Sequence, residues 1–227
     1  HGISFSLQPG EKVAIVGATG AGKSTIINLL NRFYDIQSGH IRLDGTDIKE
    51  YRLAPLRRNI AVVLQDVFLF ADTIANNITL QDREIRREEI ETAARAIGVH
   101  QFISSLPGGY QYNVKERGTM LSSGQRQLIA FLRAYMRNPS ILVLDEATSS
   151  VDTYTEQLIQ QATEKVTEGR TSIIIAHRLA TVKKVDKIIV MDKGQIVEIG
   201  SHAELLKKKG YYHKLYEAQF MAEEEVA

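Results

Sequence analysis

The chain has 227 residues, of which 44% are hydrophobic, and this suffices for one large α/β domain or for one domain with a small subdomain. Its 28 basic and 27 acidic residues leave a formal net charge of +1, so no strong field draws it to nucleic acid or to acidic lipid. The lack of cysteine excludes disulfides, iron–sulfur clusters and cysteine–zinc sites, and no apolar run approaches the roughly 18 residues of a transmembrane helix.

The N-terminal region alternates strand and helix signals. Ile3, Phe5 and Leu7 lie at every second position, which predicts a half-buried strand. Because a natural protein seldom begins inside a strand, we interpret the chain as a piece whose N-terminal part has been removed. Further strands are predicted at residues 13–16, 40–43 and 60–64, and a helix at residues 24–32.

A phosphate-binding loop lies between the strand at 13–16 and the helix at 24–32. It reads Gly-Ala-Thr-Gly-Ala-Gly-Lys-Ser and satisfies the pattern G-x-x-x-x-G-K-[ST] at every fixed position. Its glycines allow backbone N–H groups to face inward at a helix start, where the helix dipole also favours an anion. Lys23 is predicted to reach the β- and γ-phosphates, and the Ser24 hydroxyl to bind Mg²⁺. The predicted nucleotide-binding residues are Gly17, Ala18, Thr19, Gly20, Ala21, Gly22, Lys23, Ser24 and Thr25.

The middle of the chain changes in composition. Residues 83–98 are charged, rich in helix formers and closed by a glycine, which predicts an exposed helix. The block 82–120 is therefore predicted to be a helical insertion into an α/β core formed by residues 1–81 and 121–227. Gln125, Leu128, Ile129, Leu132 and Met136 then recur at helical spacing and predict an amphipathic helix.

The C-terminal half returns to alternating elements. Strands are predicted at residues 141–144, 172–176, 187–191 and 195–199, and helices at 153–166 and 203–220. Apolar runs of this kind are typical of buried parallel strands, and open α/β sheets bind ligands at the carboxyl ends of their strands. Asp145 and Glu146 close one strand, His177 closes another and the phosphate loop closes a third. We therefore expect these motifs to meet at one edge of the sheet.

The two carboxylates at this edge have separate predicted tasks. Asp145 is expected to hold Mg²⁺ through its water shell, as in other phosphoryl-transfer enzymes with this loop. Glu146, one residue further on, is expected to polarise the water that attacks the γ-phosphate. Ser122, Ser123 and Gly124 begin the amphipathic helix and offer a second anion site. They lie too far along the chain to serve the same phosphate as Lys23 by local geometry.

Three motifs together resemble the nucleotide-binding domains of ABC transporters, and the resemblance covers nearly the whole chain. They are the phosphate loop, the run Leu121-Ser-Ser-Gly-Gln125 and the run Ile141-Leu-Val-Leu-Asp-Glu146. The resemblance implies a P-loop NTPase fold of the α/β class, which binds ATP with Mg²⁺. It has a mostly parallel core sheet, an N-terminal antiparallel β-portion (truncated here) and an inserted helical subdomain, with the run at 121–125 at its junction.

The resemblance also implies roles for single residues. His177 would contact the γ-phosphate and orient Glu146 and the water. Gln65 would touch Mg²⁺ and the attacking water at the joint between core and subdomain, so that Ser24, Gln65 and Asp145 form the metal site. The loop with Phe68, Leu69 and Phe70 would face the membrane domain, although a buried loop that packs on the subdomain remains the alternative. The remaining histidines, His1, His40, His100, His202 and His213, are interpreted as surface residues.

The family forms a head-to-tail dimer, in which residues 121–125 of one subunit would cover the ATP held by the other. The trans contacts would come from Ser122, Ser123, Gly124 and Gln125, and Asp152 would lie in a loop that crosses the interface. The usual run is Leu-Ser-Gly-Gly-Gln, and Ser123 replaces its first glycine. A plain helix N-cap would explain the serines alone, but not the Gln125-Arg126-Gln127 that follows.

Softer markers resemble the exporter branch of this family. These are the stretches at residues 72–78, 114–118 and 145–148. The expected partners are therefore a second nucleotide-binding domain and a transmembrane domain, at the cytoplasmic face of a cell membrane and without nucleic acid.

Two other classes of protein are alternatives to the exporter. A soluble ABC ATPase of DNA repair or translation is disfavoured by the balanced charge and by the absence of heptads between the loop and residue 121. A P-loop GTPase or kinase is disfavoured because no Asn-Lys-x-Asp base reader is present and because neither class needs residues 121–125.

Overall fold

The structure is a computed structural model that describes residues 2–146 and 151–219. The stretch 145–148 and the loop before Asp152 therefore lie partly outside the described residues. Within them the chain divides into two units. The first unit comprises residues 2–62, 140–146 and 169–219, and the second comprises residues 63–139 and 151–168.

Apart from the short strand Thr46–Asp47, which was not predicted, the strands lie close to their predicted positions. In chain order they are β1 (Lys12–Val16), β2 (Arg42–Leu43), β3 (Thr46–Asp47), β4 (Ile60–Val63), β5 (Ile141–Asp145), β6 (Thr171–Ile175), β7 (Lys187–Asp192) and β8 (Gln195–Gly200). The helices are α1 (Lys23–Leu30), α2 (Leu53–Asn59), α3 (Ile74–Thr79), α4 (Arg87–Ala96), α5 (His100–Ser105), α6 (Ser123–Met136), α7 (Thr153–Thr167), α8 (Leu179–Val182), α9 (His202–Lys208) and α10 (Tyr211–Gln219). The short helices α2, α3, α5 and α8 were not predicted.

One sheet of six strands organises the first unit, in the order β4-β5-β6-β1-β7-β8. β1 pairs in parallel with both β6 and β7, and β5 pairs in parallel with β6, whereas β8 runs antiparallel to β7. The side chains of Val13, Ala14, Ile15 and Val16 are fully buried, as expected for a parallel strand covered on both faces. The mostly parallel sheet predicted from the apolar runs is thus confirmed.

The register of the sheet sets the edge at which the motifs meet. Ile175 in β6 lies beside Asp145 on one side and beside Ile15 on the other. Because β5, β6 and β1 run in the same direction, their carboxyl ends share one edge. The phosphate loop, Asp145, Glu146 and His177 all follow these ends, as the sequence predicted.

The second unit is built around α6. This helix contacts α3, α4 and α7. Leu128, Ile129 and Leu132 are fully buried, but they belong to an unbroken run of buried residues from 127 to 132, so the middle of α6 is buried on all sides and not along the single face that the sequence predicted. The unit also takes in residues on either side of the block 82–120, and the proposed limits of that insertion stay a prediction.

The strand predicted at residues 3–7 is not formed. Residues 2–8 have no strand assignment, although Ile3, Phe5 and Leu7 pack partly buried against the core of the first unit. A strand needs a neighbouring backbone to complete its ladder, and in the described sheets this segment pairs with no strand. The alternation therefore predicted the direction of the side chains correctly, but not the hydrogen bonding.

The single C-terminal helix predicted at 203–220 is instead two helices. Lys209 adopts a left-handed conformation (φ 51°) that ends α9, and Gly210 follows it. A Cβ atom on Gly210 would overlap the carboxylate of Glu198, which accepts the Tyr212 N–H at 2.6 Å. The sequence prediction missed this break because it depends on contact with β8.

Three histidines predicted to lie at the surface are half-buried, namely His100, His202 and His213. His100 and His202 each begin a helix, and each places Nδ1 2.8 Å from the hydroxyl of a buried tyrosine ten residues later, Tyr110 or Tyr212. Burial raises the pKa of Tyr110 to about 12 and that of Tyr212 still further. His100 and His202 thus satisfy buried hydroxyl groups, while His40 is exposed as predicted.

No helix in the described residues combines the length and the hydrophobicity required to cross a lipid bilayer.

The left-handed Lys209 provides a test of the C-terminal break. Lys209→Gly should raise the free energy of unfolding by about 0.5 kcal/mol, because glycine adopts positive φ without strain but loses more backbone entropy. Lys208→Gly, one residue earlier and inside α9, should instead lower it by about 1 kcal/mol. Urea unfolding of both variants measures the difference. Equal destabilisation by the two changes would contradict the left-handed cap.

Candidate nucleotide site

The phosphate loop joins β1 to α1 with its glycines in the conformations that the motif requires. Gly20 and Gly22 have positive φ angles (82° and 99°), and Gly22 caps α1. The Ala21 N–H donates to the Ala18 carbonyl at 3.1 Å and closes a turn. The loop therefore begins α1 with backbone N–H groups that no side chain caps.

The loop is supported from behind by the end of β7 and the turn that follows it. A Cβ atom on Gly17 would overlap the carbonyl oxygen of Met191. The N–H of Gly194 donates to the Ala21 carbonyl at 3.1 Å. Gly17 is thus required by the close approach of a second strand, a contact that the motif alone does not indicate.

Lys23 is the one cation of the loop, and it is almost buried, at 8% exposure. Its Nζ donates to the carbonyls of Gly17 at 2.6 Å and Ala18 at 3.0 Å. Burial lowers the pKa of Lys23, and the nearby Asp145 carboxylate opposes this shift. Two of the three ammonium donors therefore hold the loop, and the cation lies next to Asp145.

Five of the other predicted loop residues face outward, whereas Ala21 is buried and Gly22 is half-buried. Ala18, Thr19 and Gly20 are exposed, and so are Ser24 and Thr25 in the first turn of α1. Asp145, at the end of β5, is half-buried. The described residues contain no group of three or more His, Asp or Glu side chains placed to hold a metal by themselves.

Glu146 is buried, at 5% exposure, and its carboxylate is held by the segment that follows β6. Oε2 accepts the backbone N–H groups of His177 at 2.8 Å and Arg178 at 3.1 Å. Oε1 accepts the hydroxyl of Thr181. Burial raises the pKa of the Glu146 carboxyl, against the lowering effect of these hydrogen bonds.

His177 follows the parallel strand β6, as predicted, and only Ala176 separates it from the last residue of the strand. It is half-buried. Burial lowers the pKa of its imidazole, and the positive charge of Lys23 lowers it further. The ring is therefore neutral at pH 7. Its backbone N–H donates to the Glu146 carboxylate, whereas the family resemblance suggests that the ring orients this carboxylate.

The remaining candidate residues lie in the second unit and have structural tasks there. Ser122 and Gln125 form a reciprocal capping box at the start of α6, with hydrogen bonds of 3.2 and 3.0 Å. A cap therefore accounts for Gln125 as well as for the serine, and the sequence argument to the contrary was wrong. Asp152 caps α7 by accepting the Thr155 N–H at 2.9 Å, which lowers the pKa of Asp152.

Gly124 and Gln65 also have defined surroundings. A Cβ atom on Gly124 would come within 2.7 Å of the side chains of Thr155 and Val151, so this glycine lets α6 approach the N-terminal end of α7. Ser123 and Gln65 are both half-buried. The trans contacts of residues 122–125, the interface role of Asp152 and the metal role of Gln65 all stay predictions.

Comparison with known proteins decides the family. The family model described as ABC transporter matches residues 1–149.

The chain belongs to the ABC transporter family.

Its relatives agree with this assignment. The chain is 53% identical over 215 residues to an ATP-dependent lipid A-core flippase of Pseudomonas fluorescens, which covers 94% of the chain and 36% of the flippase. It is 49% identical over 217 residues to a probable multidrug resistance ABC transporter ATP-binding/permease protein of Bacillus subtilis, which covers 96% of the chain and 32% of the relative. The chain thus spans about a third of the length of these proteins.

A solved structure shows the same fold. The structure of a bacterial Atm1-family ABC exporter with ATP bound matches with a TM-score of 0.89 and 45% identity, over 96% of this chain and 38% of the other. The P-loop fold predicted from the sequence is confirmed, and the chain is an ATP-binding ATPase domain of the ABC family.

The loop at residues 68–70 is partly buried and partly exposed, and its contact with a membrane domain stays a prediction. Leu69 is fully buried, whereas Phe68 and Phe70 are 57% and 53% exposed and contact each other edge to face at 5.1 Å. The buried Asn77 side chain bonds the N–H and the carbonyl of Phe70, and Arg133 bonds the carbonyls of Asn77 and Phe68. The loop is thus anchored inside the second unit while it presents two aromatic rings.

Sequence reasoning missed three contributors to this ABC ATPase site. Met191 and Gly194 support the loop through backbone atoms, which no sequence motif reveals. The Thr181 hydroxyl donates to Glu146. A weak signal for this residue is present in the sequence, because Thr181 lies in the first turn after the strand that His177 closes. The identity of its partner depends on the parallel pairing of β5 with β6.

Gly17→Ala tests the support of the loop by β7. It should destabilise the nucleotide-free chain by more than about 2 kcal/mol, because a backbone carbonyl cannot move aside as a side chain can. Gly20→Ala is the matched control. No atom lies within 4 Å of its added Cβ, so only the positive φ costs energy, about 0.5 to 1 kcal/mol. Denaturant unfolding measures both, and equal losses would contradict the contact with Met191.

Proposed function

We propose that the chain is the ATPase domain of an ABC exporter, which dimerises around two ATP molecules and powers an attached transmembrane domain. The observation that carries the proposal is the arrangement of Lys23, Asp145, Glu146 and His177 at one edge of a parallel sheet, beside a phosphate loop. The two relatives named as a flippase and a multidrug resistance transporter support the exporter branch.

The loop is suited to bind the phosphates of ATP. Exposed backbone at residues 18–20 and the uncapped start of α1 offer N–H donors to phosphate oxygens. The ammonium of Lys23 is already anchored to the loop, and a phosphate oxygen would provide a charged acceptor for its remaining donor. In this proposal the loop residues 17–25 bind the nucleotide and Lys23 neutralises its charge.

The residues around the loop fit Mg²⁺ as the companion of ATP. Mg²⁺ is usually held by one or two carboxylates together with substrate phosphates and water, and a separate cluster of acidic residues is not needed. The exposed hydroxyl of Ser24 and the carboxylate of Asp145 are the donors that the first unit offers. We assign them to the metal site together with Gln65. The ion would neutralise charge on the phosphates during transfer.

Glu146 is the proposed general base. Burial raises the pKa of its carboxyl toward the range useful for proton transfer, and His177 lies beside it as a neutral residue able to bond a phosphate oxygen or water. In this proposal Glu146 takes up a proton from the attacking water, while Lys23 and the metal stabilise the charge on the phosphates. Binding and water activation would therefore depend on different residues.

A second chain is the proposed source of the remaining contacts. Ser122 is exposed at the start of the 14-residue helix α6, and the dipole of this helix places partial positive charge at that end. We propose that Ser122, Ser123, Gly124 and Gln125 cover the ATP bound by a partner chain, and that Asp152 lies at that interface. The partner would be another copy of this domain or a similar domain.

The transmembrane partner is proposed to contact the anchored aromatic loop. Phe68 and Phe70 expose two rings on a short segment whose backbone is held by Asn77 and Arg133. Exposed aromatic residues on a fixed support are typical of protein interfaces. Contact with a membrane-embedded domain would place the chain at the cytoplasmic face of a membrane.

Glu146→Gln separates ATP binding from hydrolysis. It should lower kcat by about 100-fold or more, because it removes the base, while ATP binding is retained. The same substitution at an exposed glutamate, Glu50→Gln, is the control and should keep the wild-type rate. Phosphate release measures turnover, and size-exclusion chromatography with Mg-ATP measures the dimer that the variant should accumulate. A wild-type rate in the Glu146 variant would reject its role as the base.

Mixing two inactive variants tests whether each site is shared between chains. Lys23→Ala removes the phosphate-binding cation, and Ser122→Arg blocks the trans contact. A mixed dimer then has one site with both defects and one site with neither. An equimolar mixture should recover up to about a quarter of the wild-type rate, because half of the dimers are mixed and each has one intact site of two.

Each variant alone, at the same total concentration, is the control for this mixture. Ser122→Ala removes only the helix cap, which should cost about 1 kcal/mol of stability, whereas Ser122→Arg also adds a bulky side chain. Comparing the two variants separates the effect of the lost cap from that of the bulky side chain. If each site needs two chains, wild-type activity per chain should also rise with protein concentration until dimers predominate. A rate independent of concentration, with no recovery on mixing, would mean that one chain forms the complete site.

A further inference from the structure

The carboxylate of Glu146 is held in a way that does not suit a working base. Oε2 accepts two backbone N–H groups and Oε1 accepts the Thr181 hydroxyl. A carboxylate has about four lone-pair positions, so three of them are occupied. With only 5% of the residue exposed, an attacking water has little access to the fourth.

The charges around Glu146 also show which way it is turned. The positive charge that acts on Glu146 is that of Arg178. The charge of Lys23 acts instead on Asp145 and on His177. The three donors to the Glu146 carboxylate all belong to the segment after β6, so the carboxylate is directed toward that segment.

Thr181 is held rigidly enough to determine this orientation. It lies in the short helix α8, whose other side chains include the buried Leu179 and Val182. Its own N–H donates to the Arg178 carbonyl at 3.2 Å, in the turn that begins the helix. The backbone of Thr181 is thus held in place by this turn and by two apolar neighbours. Because the Glu146 side chain has more rotatable bonds than that of threonine, breaking the hydrogen bond would involve a rotation of Glu146.

We infer that Thr181 is a positioning residue that holds Glu146 in a withdrawn conformation, and that hydrolysis requires this hydrogen bond to break. The inference rests on the proposed role of Glu146 as the base. In the withdrawn conformation the chain binds ATP at its phosphate loop, while the base stays bonded to Thr181 and to the backbone after β6. Turnover is then limited by the fraction of chains in which the carboxylate has been released.

Thr181→Val tests the inference, because valine keeps the shape of threonine and removes only the hydroxyl. One charge-assisted hydrogen bond fewer should raise the released fraction, and with it kcat, by up to about tenfold. KM for ATP should stay within about twofold, since the loop that binds ATP is unchanged. Thr181→Ser retains the hydroxyl and should restore the wild-type rate.

Two further variants connect the effect to Glu146. The double variant Thr181→Val with Glu146→Gln should turn over as slowly as Glu146→Gln alone, because there is no base to release. Thr163→Val is the matched control, since its hydroxyl bonds a carbonyl in α7 and not a carboxylate, and its kcat should match wild type. A rise in the double variant would overturn the inference, because Thr181 would then act on another group.

A measurement without nucleotide tests the hydrogen bond independently of activity. Loss of a donor to the buried carboxylate should lower the thermal unfolding midpoint of Thr181→Val by about 3 °C or more, while Thr181→Ser changes it little. An unchanged midpoint, or a kcat at or below the wild-type value in an active preparation, would overturn the inference and leave the ATPase assignment intact. Absence of hydrolysis by the wild-type chain would overturn the proposed function itself.

Discussion

The parallel pairing of β1 with β6 on one side and β7 on the other is the constraint on which the first unit depends. The central strand is fully buried, so a shift of its register would move apolar side chains out of contact on both faces. The same register determines where β1 ends, and it therefore brings Gly17 against the Met191 carbonyl. The position of the phosphate loop is thus a consequence of backbone pairing between strands that are far apart in sequence.

Two ionisable side chains, Lys23 and Glu146, are buried at the edge of this sheet, and each has its own hydrogen-bond partners. Lys23 donates to loop carbonyls and lies near Asp145. Glu146 accepts backbone N–H groups and the Thr181 hydroxyl. Burying either charge without such partners would cost several kcal/mol. Because each has its own set of hydrogen-bond partners, a change at one residue leaves the partners of the other in place.

The residues of the motif at 121–125 have a role in folding in addition to their proposed contact with nucleotide. Ser122 and Gln125 cap α6, and Gly124 allows the close approach of α7. Neither task prevents contact with a nucleotide, since Ser122 remains exposed. Substitutions in this motif therefore change helix stability as well as any contact with a second chain, so both stability and activity have to be measured for each variant.

The sequence by itself determined the family, the parallel strands and the residues of the candidate site, because glycine spacing, apolar runs and strand ends are local patterns. It could not determine features that depend on contacts between distant segments. The break at Lys209 needs β8, and the unformed strand at residues 3–7 lacks a neighbouring backbone in the described sheets. The bond between Glu146 and Thr181 exists only because β5 and β6 are adjacent and parallel. Tertiary structure alone decided these points, since hydrogen bonding and close packing require a partner that no local pattern specifies.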